Sequence, residues 1–313
     1  MSIDVSPGAA DGQPTPPAGL GRLVTAMISP FDDAGGLDLD GAQRLADHLV
    51  TTGTETVLVN GTTGESPTLR DEERWQLLAA VQEAVGARAG VMMGTGSNDT
   101  RGTIATTTRA AEAGVDAALV VTPYYNRPDQ RGILAHVQAV ADAAELPIVL
   151  YDIPSRTGRA IEVATYPQLA AIEHVVGVKD ATGDLGKAAD VAVALAHAGH
   201  DDFAVWSGGD EVNLPLLALG AVGAISVSAH LAGPELAAML AAFPTDPARA
   251  RELHLRCLPL HRALFAEPSP APLKALLHAR GLPAGPVRLP LADASNEAVA
   301  TALSTLETLE AAR

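Results

Sequence analysis

The chain has 313 residues, 47% of them hydrophobic, enough to bury one large core without a second independent domain. Its formal net charge of −16 opposes approach to a phosphate backbone or an anionic membrane, so nucleic acid and membrane partners are disfavoured. No stretch reaches the roughly 20 uninterrupted apolar residues of a membrane span, and the single cysteine, Cys257, leaves no intramolecular disulfide and favours a reducing, cytoplasmic compartment.

Residues 1–19 have no basic stretch and no apolar run, and their Pro, Gly and Asp content reads as a disordered, solvated tail outside the fold. From residue 20 onward, short β-branched or apolar runs alternate with longer Ala/Leu-rich helical patterns, the mark of βαβ units with parallel strands. The runs predict strands at 23–28, 56–60, 90–93, 117–121, 148–151, 175–179, 204–206 and 224–227. Eight strand–helix units predict an α/β fold of the (β/α)8 TIM barrel type over residues 20–240, in preference to a doubly wound open sheet with a phosphate-binding first turn. After Ala229 the pattern is wholly helical, with Pro234, Pro244, Pro268 and Pro283 marking breaks. Residues 241–313 therefore read as a C-terminal helical extension that serves packing or assembly.

In such barrels the chemistry sits where strands end, so polar and Gly-rich motifs are expected immediately after each apolar run. The second run is followed by Gly61-Thr62-Thr63-Gly64-Glu65-Ser66, and the fourth by Thr122-Pro123-Tyr124-Tyr125-Asn126. The fifth ends in Tyr151-Asp152-Ile153-Pro154-Ser155-Arg156, the sixth in Lys179-Asp180-Ala181-Thr182-Gly183 and the seventh in Ser207-Gly208-Gly209-Asp210.

Lys179 closes the apolar run Val175-Val176-Gly177-Val178, where a charge is costly. The chain holds three lysines against eighteen arginines, so most basic positions carry a guanidinium that cannot act as an amine nucleophile. Burial disfavours the ammonium form, and a strand-end lysine reads as a Schiff-base nucleophile for a carbonyl substrate. A structural lysine paired with Asp180 or another rim carboxylate would occupy the same position, and this residue alone leaves both readings open. Lys187 and Lys274 fall in helical patterns, read as solvated charges and are assigned no chemistry.

Tyr125 and Tyr151, two of four tyrosines, follow the fourth and fifth strands and with Thr62 can form a hydroxyl chain that shuttles protons; each alone is equally a packed ring with one satisfied hydroxyl. Arg156, beside Pro154, suits bidentate capture of a substrate carboxylate, or else a surface ion pair. Gly61 to Gly64 permit close backbone approach, and Thr62 and Thr63 offer hydroxyls and amides to a small anion. Gly94-Thr95-Gly96 is a lone GxG after the third strand and a weak dinucleotide signal. His197 and His200 have no third ligand in view, so no metal is expected.

Together GTTGES (61–66), TPYYNRP (122–128), YDIPSRTG (151–158), GVKDATG (177–183) and GAISV (223–227) resemble the dihydrodipicolinate synthase, or 4-hydroxy-tetrahydrodipicolinate synthase, family of the pyruvate-dependent class I aldolase superfamily. The resemblance runs from about residue 21 to about residue 289, with the motifs in the family's order. It implies condensation of pyruvate with L-aspartate 4-semialdehyde in the diaminopimelate route to lysine, through an imine on Lys179 and without a cofactor. By motif, it implies that Tyr151 donates and accepts the proton beside the imine and that Thr62 and Tyr125 complete the relay. Thr63 and the backbone of Ile225 would hold the pyruvate carboxylate, and Arg156 the carboxylate of the semialdehyde. The family's counterpart of Tyr125 reaches into a neighbouring subunit's site, which implies a homodimer or homotetramer.

One departure concerns regulation. Lysine-inhibited members carry a His and a Glu where this chain has Asp71 and Gly102, although Ser66, Asn98 and Tyr124 match, so weak sensitivity to lysine is expected. The rival readings are a sister lyase, of the N-acetylneuraminate or 2-keto-3-deoxy sugar acid type, and a non-catalytic barrel that binds pyruvate-like ligands. Arg156 and the Thr62-Thr63 pair favour the dipicolinate branch over the neuraminate one, while sugar acid aldolases differ less.

Overall fold

In a computed structural model, which describes residues 15–312, eight parallel strands follow one another in chain order and the sheet closes on itself, β1 through β8. The order of elements is β1 (Leu23–Ala26), α1 (Leu39–Thr51), β2 (Thr56–Val59), α2 (Asp71–Val85), β3 (Gly90–Gly94), α3 (Thr100–Glu112) and β4 (Ala117–Val121). It continues with α4 (Gln130–Ala141), β5 (Ile148–Asp152), α5 (Pro154–Thr157), α6 (Tyr166–Ala170), β6 (Val175–Asp180), α7 (Leu185–Ala198), β7 (Ala204–Ser207), α8 (Asn213–Ala218) and β8 (Gly223–Ser226). The remaining elements are helices: α9 (Ala229–Ala242), α10 (Pro247–Ala263), α11 (Ala271–Ala279) and α12 (Asn296–Ala311). The expected TIM barrel with helices beyond it is the fold observed. The proposed tail falls largely on residues 1–14, which lie outside the described residues.

Every strand except for one residue at an end or in the middle is fully withdrawn from solvent, as expected where helices cover a parallel sheet. This is why the strands read as continuous apolar runs rather than as alternating ones. All eight runs are strands, with ends that differ from expectation by one or two residues: β5 and β6 extend to Asp152 and Asp180, and β1 stops at Ala26. Helix starts are written in aspartate. Asp38, Asp99, Asp129 and Asp184 each cap the helix after a strand by accepting a backbone N–H two or three residues into it.

Close packing divides the chain into two compact units. One comprises Met92–Ile225 with the segment ending at Arg22, and within it β3 to β8 pair in register. The β6–β7 pairing requires glycine at 177, where a Cβ would lie 2.2 Å from the Ala204 carbonyl oxygen. The other comprises Leu23–Val91 and Ser226–Arg313, so the C-terminal helices pack with the first two strand–helix units. There His230, fully buried, accepts the Ile28 N–H through Nε2 at 3.1 Å and contacts the Val227 carbonyl through Nδ1 at 2.7 Å.

The prolines fall at breaks, as expected. Pro244, Pro268 and Pro283 lie between helices, and Pro234 follows the kink at Ala232 (φ −115°, ψ 26°), where two helical segments meet within α9. In the first turn of the second segment a proline lacks only an N–H that has no partner there anyway.

Candidate active site

The strand pair β5–β6 sets the centre of the first unit. Tyr151 stands opposite Lys179, and Asp152 opposite Asp180. Successive residues of a strand face opposite ways, so the two rows separate onto the two faces of the sheet. Asp152 meets residues of α6 and α7, which places the Tyr151–Lys179 row on the face turned away from those helices.

On that face Lys179 is 4% exposed, and its Nζ lies 4.5 Å from the centroid of the Tyr151 ring. Among the described residues no carboxylate forms an ion pair with it. Asp180, the alternative partner, turns its Oδ1 to the Thr182 N–H (2.8 Å) and hydroxyl (2.7 Å), closing the Asp-Ala-Thr-Gly turn. Gly208 makes room for the lysine stem: a Cβ there would come within 2.9 Å of Lys179 Cγ. The Tyr151 backbone is fixed by Thr122, whose N–H and hydroxyl both donate to its carbonyl at 3.0 Å. A buried amine beside a phenol, with no carboxylate paired to it among the described residues, is equipped to add to a carbonyl and to exchange protons with what forms.

The opposite face holds a structural network. Asp152, fully buried, accepts Lys187 Nζ at 2.6 Å and the Tyr166 hydroxyl at 2.9 Å through Oδ2, with the Ile161 N–H at 3.3 Å. Burial raises its carboxyl above the ordinary range, and Lys187 opposes that rise. Burial, reinforced by Asp152 and Asp180, likewise pushes the Tyr166 phenol up. Lys187 is therefore not the solvated charge expected of it: a buried carboxylate one residue from Tyr151 demanded a cation, and the helix after β6 supplied one.

Arg156 lies in the short α5 and is exposed, with no ion pair among the described residues, so the surface-pair alternative is not realised. Tyr125 stands apart from Lys179 and Tyr151 in character. It is 90% exposed, and its backbone is left-handed (φ 69°), as is that of Arg127 (φ 49°). Two bonds hold this loop: Asn126 Nδ2 donates to the Asn98 carbonyl at 2.8 Å, and Arg127 Nε to the Gly158 carbonyl at 2.9 Å, tying it to the turn that carries Arg156. Ile225 is buried in β8.

In the second unit, Thr62 and Thr63 sit in the turn after β2. This turn is closed by Gly64 N–H to Gly61 O and Glu65 N–H to Thr62 O, both at 3.1 Å. Its glutamate is the residue that sequence reasoning passed over. Glu65 is 2% exposed and 2.6 Å from Nζ of Lys274, itself 2% exposed, which corrects the reading of Lys274 as solvated. The one hint in the sequence was the rarity of lysine, three against eighteen arginines; the structure buries Lys179 and Lys274 and half-buries Lys187. Among the described residues no group of three or more His, Cys, Asp or Glu side chains is placed to hold a metal ion, and no helix is long and apolar enough to cross a membrane.

The model of the dihydrodipicolinate synthetase family matches residues 19–309. A 4-hydroxy-tetrahydrodipicolinate synthase of Moorella thermoacetica is 50% identical over 278 residues, covering 88% of this chain and 94% of its own. Among solved structures, the enzyme of Cyanidioschyzon merolae with lysine bound superposes with a TM-score of 0.89 at 40% identity, covering 93% of this chain and 98% of its own. The dihydrodipicolinate synthase of Acinetobacter baumannii complexed with pyruvate gives a TM-score of 0.89 at 36% identity, covering 93% and 99%.

Proposed function

Because the chain belongs to the dihydrodipicolinate synthetase family, we propose that it is a lyase that binds pyruvate as a Schiff base on Lys179 and condenses it with L-aspartate 4-semialdehyde, the 4-hydroxy-tetrahydrodipicolinate synthase reaction. The observation that carries this reading is the buried amine of Lys179, 4.5 Å from the Tyr151 ring and without a carboxylate partner among the described residues.

The amine of Lys179 adds to the ketone carbon of pyruvate, and water leaves as the imine forms. The iminium withdraws electrons from the adjacent methyl group, which loses a proton to give an enamine. The enamine carbon attacks the aldehyde, and the aldehyde oxygen takes a proton. The amino group of the second substrate then displaces the lysine as the ring closes, returning Lys179 as a free amine. No cofactor is consumed. Tyr151 donates and accepts the protons at the nitrogen and the developing alkoxide, with Thr62 and Tyr125 as the rest of the relay. Thr63 and the Ile225 backbone hold the pyruvate carboxylate, and the free guanidinium of Arg156 takes the semialdehyde carboxylate in a bidentate grip.

A second copy of the chain fits the same reading. A tyrosine 90% exposed in a left-handed backbone carries strain on the order of 1–3 kcal/mol that a rigid loop must sustain. A partner that buries the ring in its own site gives that strain a use. The working form is thus a homodimer or a pair of dimers, in the cytoplasm.

Borohydride reduction in the presence of pyruvate, followed by peptide mass spectrometry, tests the chemistry: the expected adduct is on the peptide carrying Lys179, and its absence rejects the scheme. A coupled assay that compares aspartate semialdehyde with sugar-derived aldehydes tests the second substrate, with preference for a sugar aldehyde overturning that half of the assignment.

A further inference from the structure

The glutamate of the Gly61–Ser66 turn points away from solvent into a knot of charges built by the C-terminal segment. Lys274, on α11, places Nζ 2.6 Å from Glu65 Oε1 and donates to the Pro286 carbonyl at 2.9 Å. The backbone N–H of Arg288 donates to the other oxygen, Oε2, at 2.8 Å. The Arg288 guanidinium in turn grips both oxygens of Glu73 (2.7 and 2.8 Å) and donates to the carbonyls of Gly35 and Thr68. Both cations lie over the Phe31 ring, 4.0 and 4.1 Å from its centroid. Leaving a buried carboxylate unpaired is expensive, and these partners both compensate Glu65 and fix where it lies.

The backbone shows what is being held. Glu65 adopts a left-handed conformation (φ 53°), unfavourable for a residue with a side chain, and in that conformation its N–H donates to the Thr62 carbonyl at 3.1 Å. The carboxylate is thus the anchor and the Thr62 peptide the part moved. We propose that Lys274 and Glu65 are positioning residues for the pyruvate subsite, the C-terminal helices fixing through this ion pair the turn that presents Thr62 and Thr63. The inference rests on the assignment of those two threonines to pyruvate made above.

Burial lowers the Lys274 ammonium from 10.5 to about 8, with Glu65 and Asp293 opposing and Arg288 assisting; Glu73, Glu65 and Asp32 act on Arg288 in turn. The clamp therefore loosens as pH rises through about 8. Stability does not fall with it. Between the folded value and the ordinary 10.5 the folded state holds fewer protons than the unfolded one, so this group's contribution to stability rises with pH.

The test uses the full-length chain and the Lys274→Met variant. The variant's pyruvate KM is expected to rise and its kcat to fall about tenfold each, about 1.4 kcal/mol apiece, while the KM for the aldehyde stays within about twofold. A lysine that only supported the fold would lower the amount of active enzyme and leave both KM values alone. The wild-type pyruvate KM should climb between pH 7 and 9 and the variant's should not. If Lys274→Met does not fold, Glu65→Gln/Lys274→Met removes both charges and should keep the raised pyruvate KM. Wild-type kinetics in either variant, or a pyruvate KM flat with pH in the wild type, overturns the inference. Borohydride labelling of Lys179 in the wild type is read alongside: its failure condemns the proposed function, whereas intact labelling with unchanged variant kinetics condemns only the clamp.

Discussion

Lys179 and Lys274 are buried alike, at 4% and 2% exposure, yet their surroundings differ in kind. Lys274 faces a carboxylate at 2.6 Å and a carbonyl at 2.9 Å, with a phenyl ring beneath it. Lys179 has a phenol ring at 4.5 Å and, among the described residues, no carboxylate. Burial alone therefore does not mark a nucleophile. A buried lysine with a counter-ion is a structural cation, while one at a strand end with no carboxylate paired to it among the described residues is the one to which the proposed function assigns the imine. Lys187 belongs with Lys274, paired at 2.6 Å with Asp152.

The contrast is broken most severely at Lys179. Lys179→Arg keeps a buried cation but not an amine that can form an imine, and turnover should fall roughly 10^4-fold or more, with no borohydride adduct and an unchanged far-ultraviolet dichroism spectrum. Were the variant to turn over normally, Lys179 would be a structural cation like the other two.

Next in size, Lys187→Met strands the Asp152 carboxylate and should cost about 3 kcal/mol in urea unfolding. The pH dependence gives a further check. The Asp152 carboxyl is already raised by burial and loses the cation that opposed the rise, so the folded state takes up a proton before the unfolded one. The variant should then gain stability as pH falls from 7 toward 5, in contrast to a paired carboxylate.

Arg288→Met gives a smaller effect with the opposite sign of pH dependence. The Arg288 guanidinium, hydrogen-bonded to Glu73, holds that carboxyl at about 2 in place of 4.5. Its contribution is present above 4.5 and lost as pH falls through about 2, on the order of 2–3 kcal/mol. In the variant the larger part of this contribution is lost at neutral pH, the Arg70 hydrogen bonds to Glu73 keeping the rest, and the acid-unfolding midpoint moves upward.

The smallest expected effect is that of free lysine as a ligand. As Lys274 needs Glu65, an effector's ammonium group needs a carboxylate. Gly102 supplies none, and one oxygen of the nearby Asp99 accepts the Gly102 N–H at 2.7 Å as the cap of α3. Millimolar lysine should leave the rate unchanged, and halving of the rate would refute this.

Much of this was legible in the chain itself. Strands covered on both faces are mostly apolar, so eight runs announced eight strands. A lysine at the end of such a run was conspicuous because a charge there is costly, although the adjacent Asp180 left a structural ion pair open until the structure turned that carboxylate to Thr182. Only the tertiary structure decided the fates of Lys187 and Lys274, because their partners lie 35 and 209 residues away and helical periodicity carries no information about a carboxylate arriving from another element. The same holds for Tyr151 and Lys179. Each was marked by its own strand, but their meeting depends on the β5–β6 register, which is set by backbone pairing and by the side chains packed behind it.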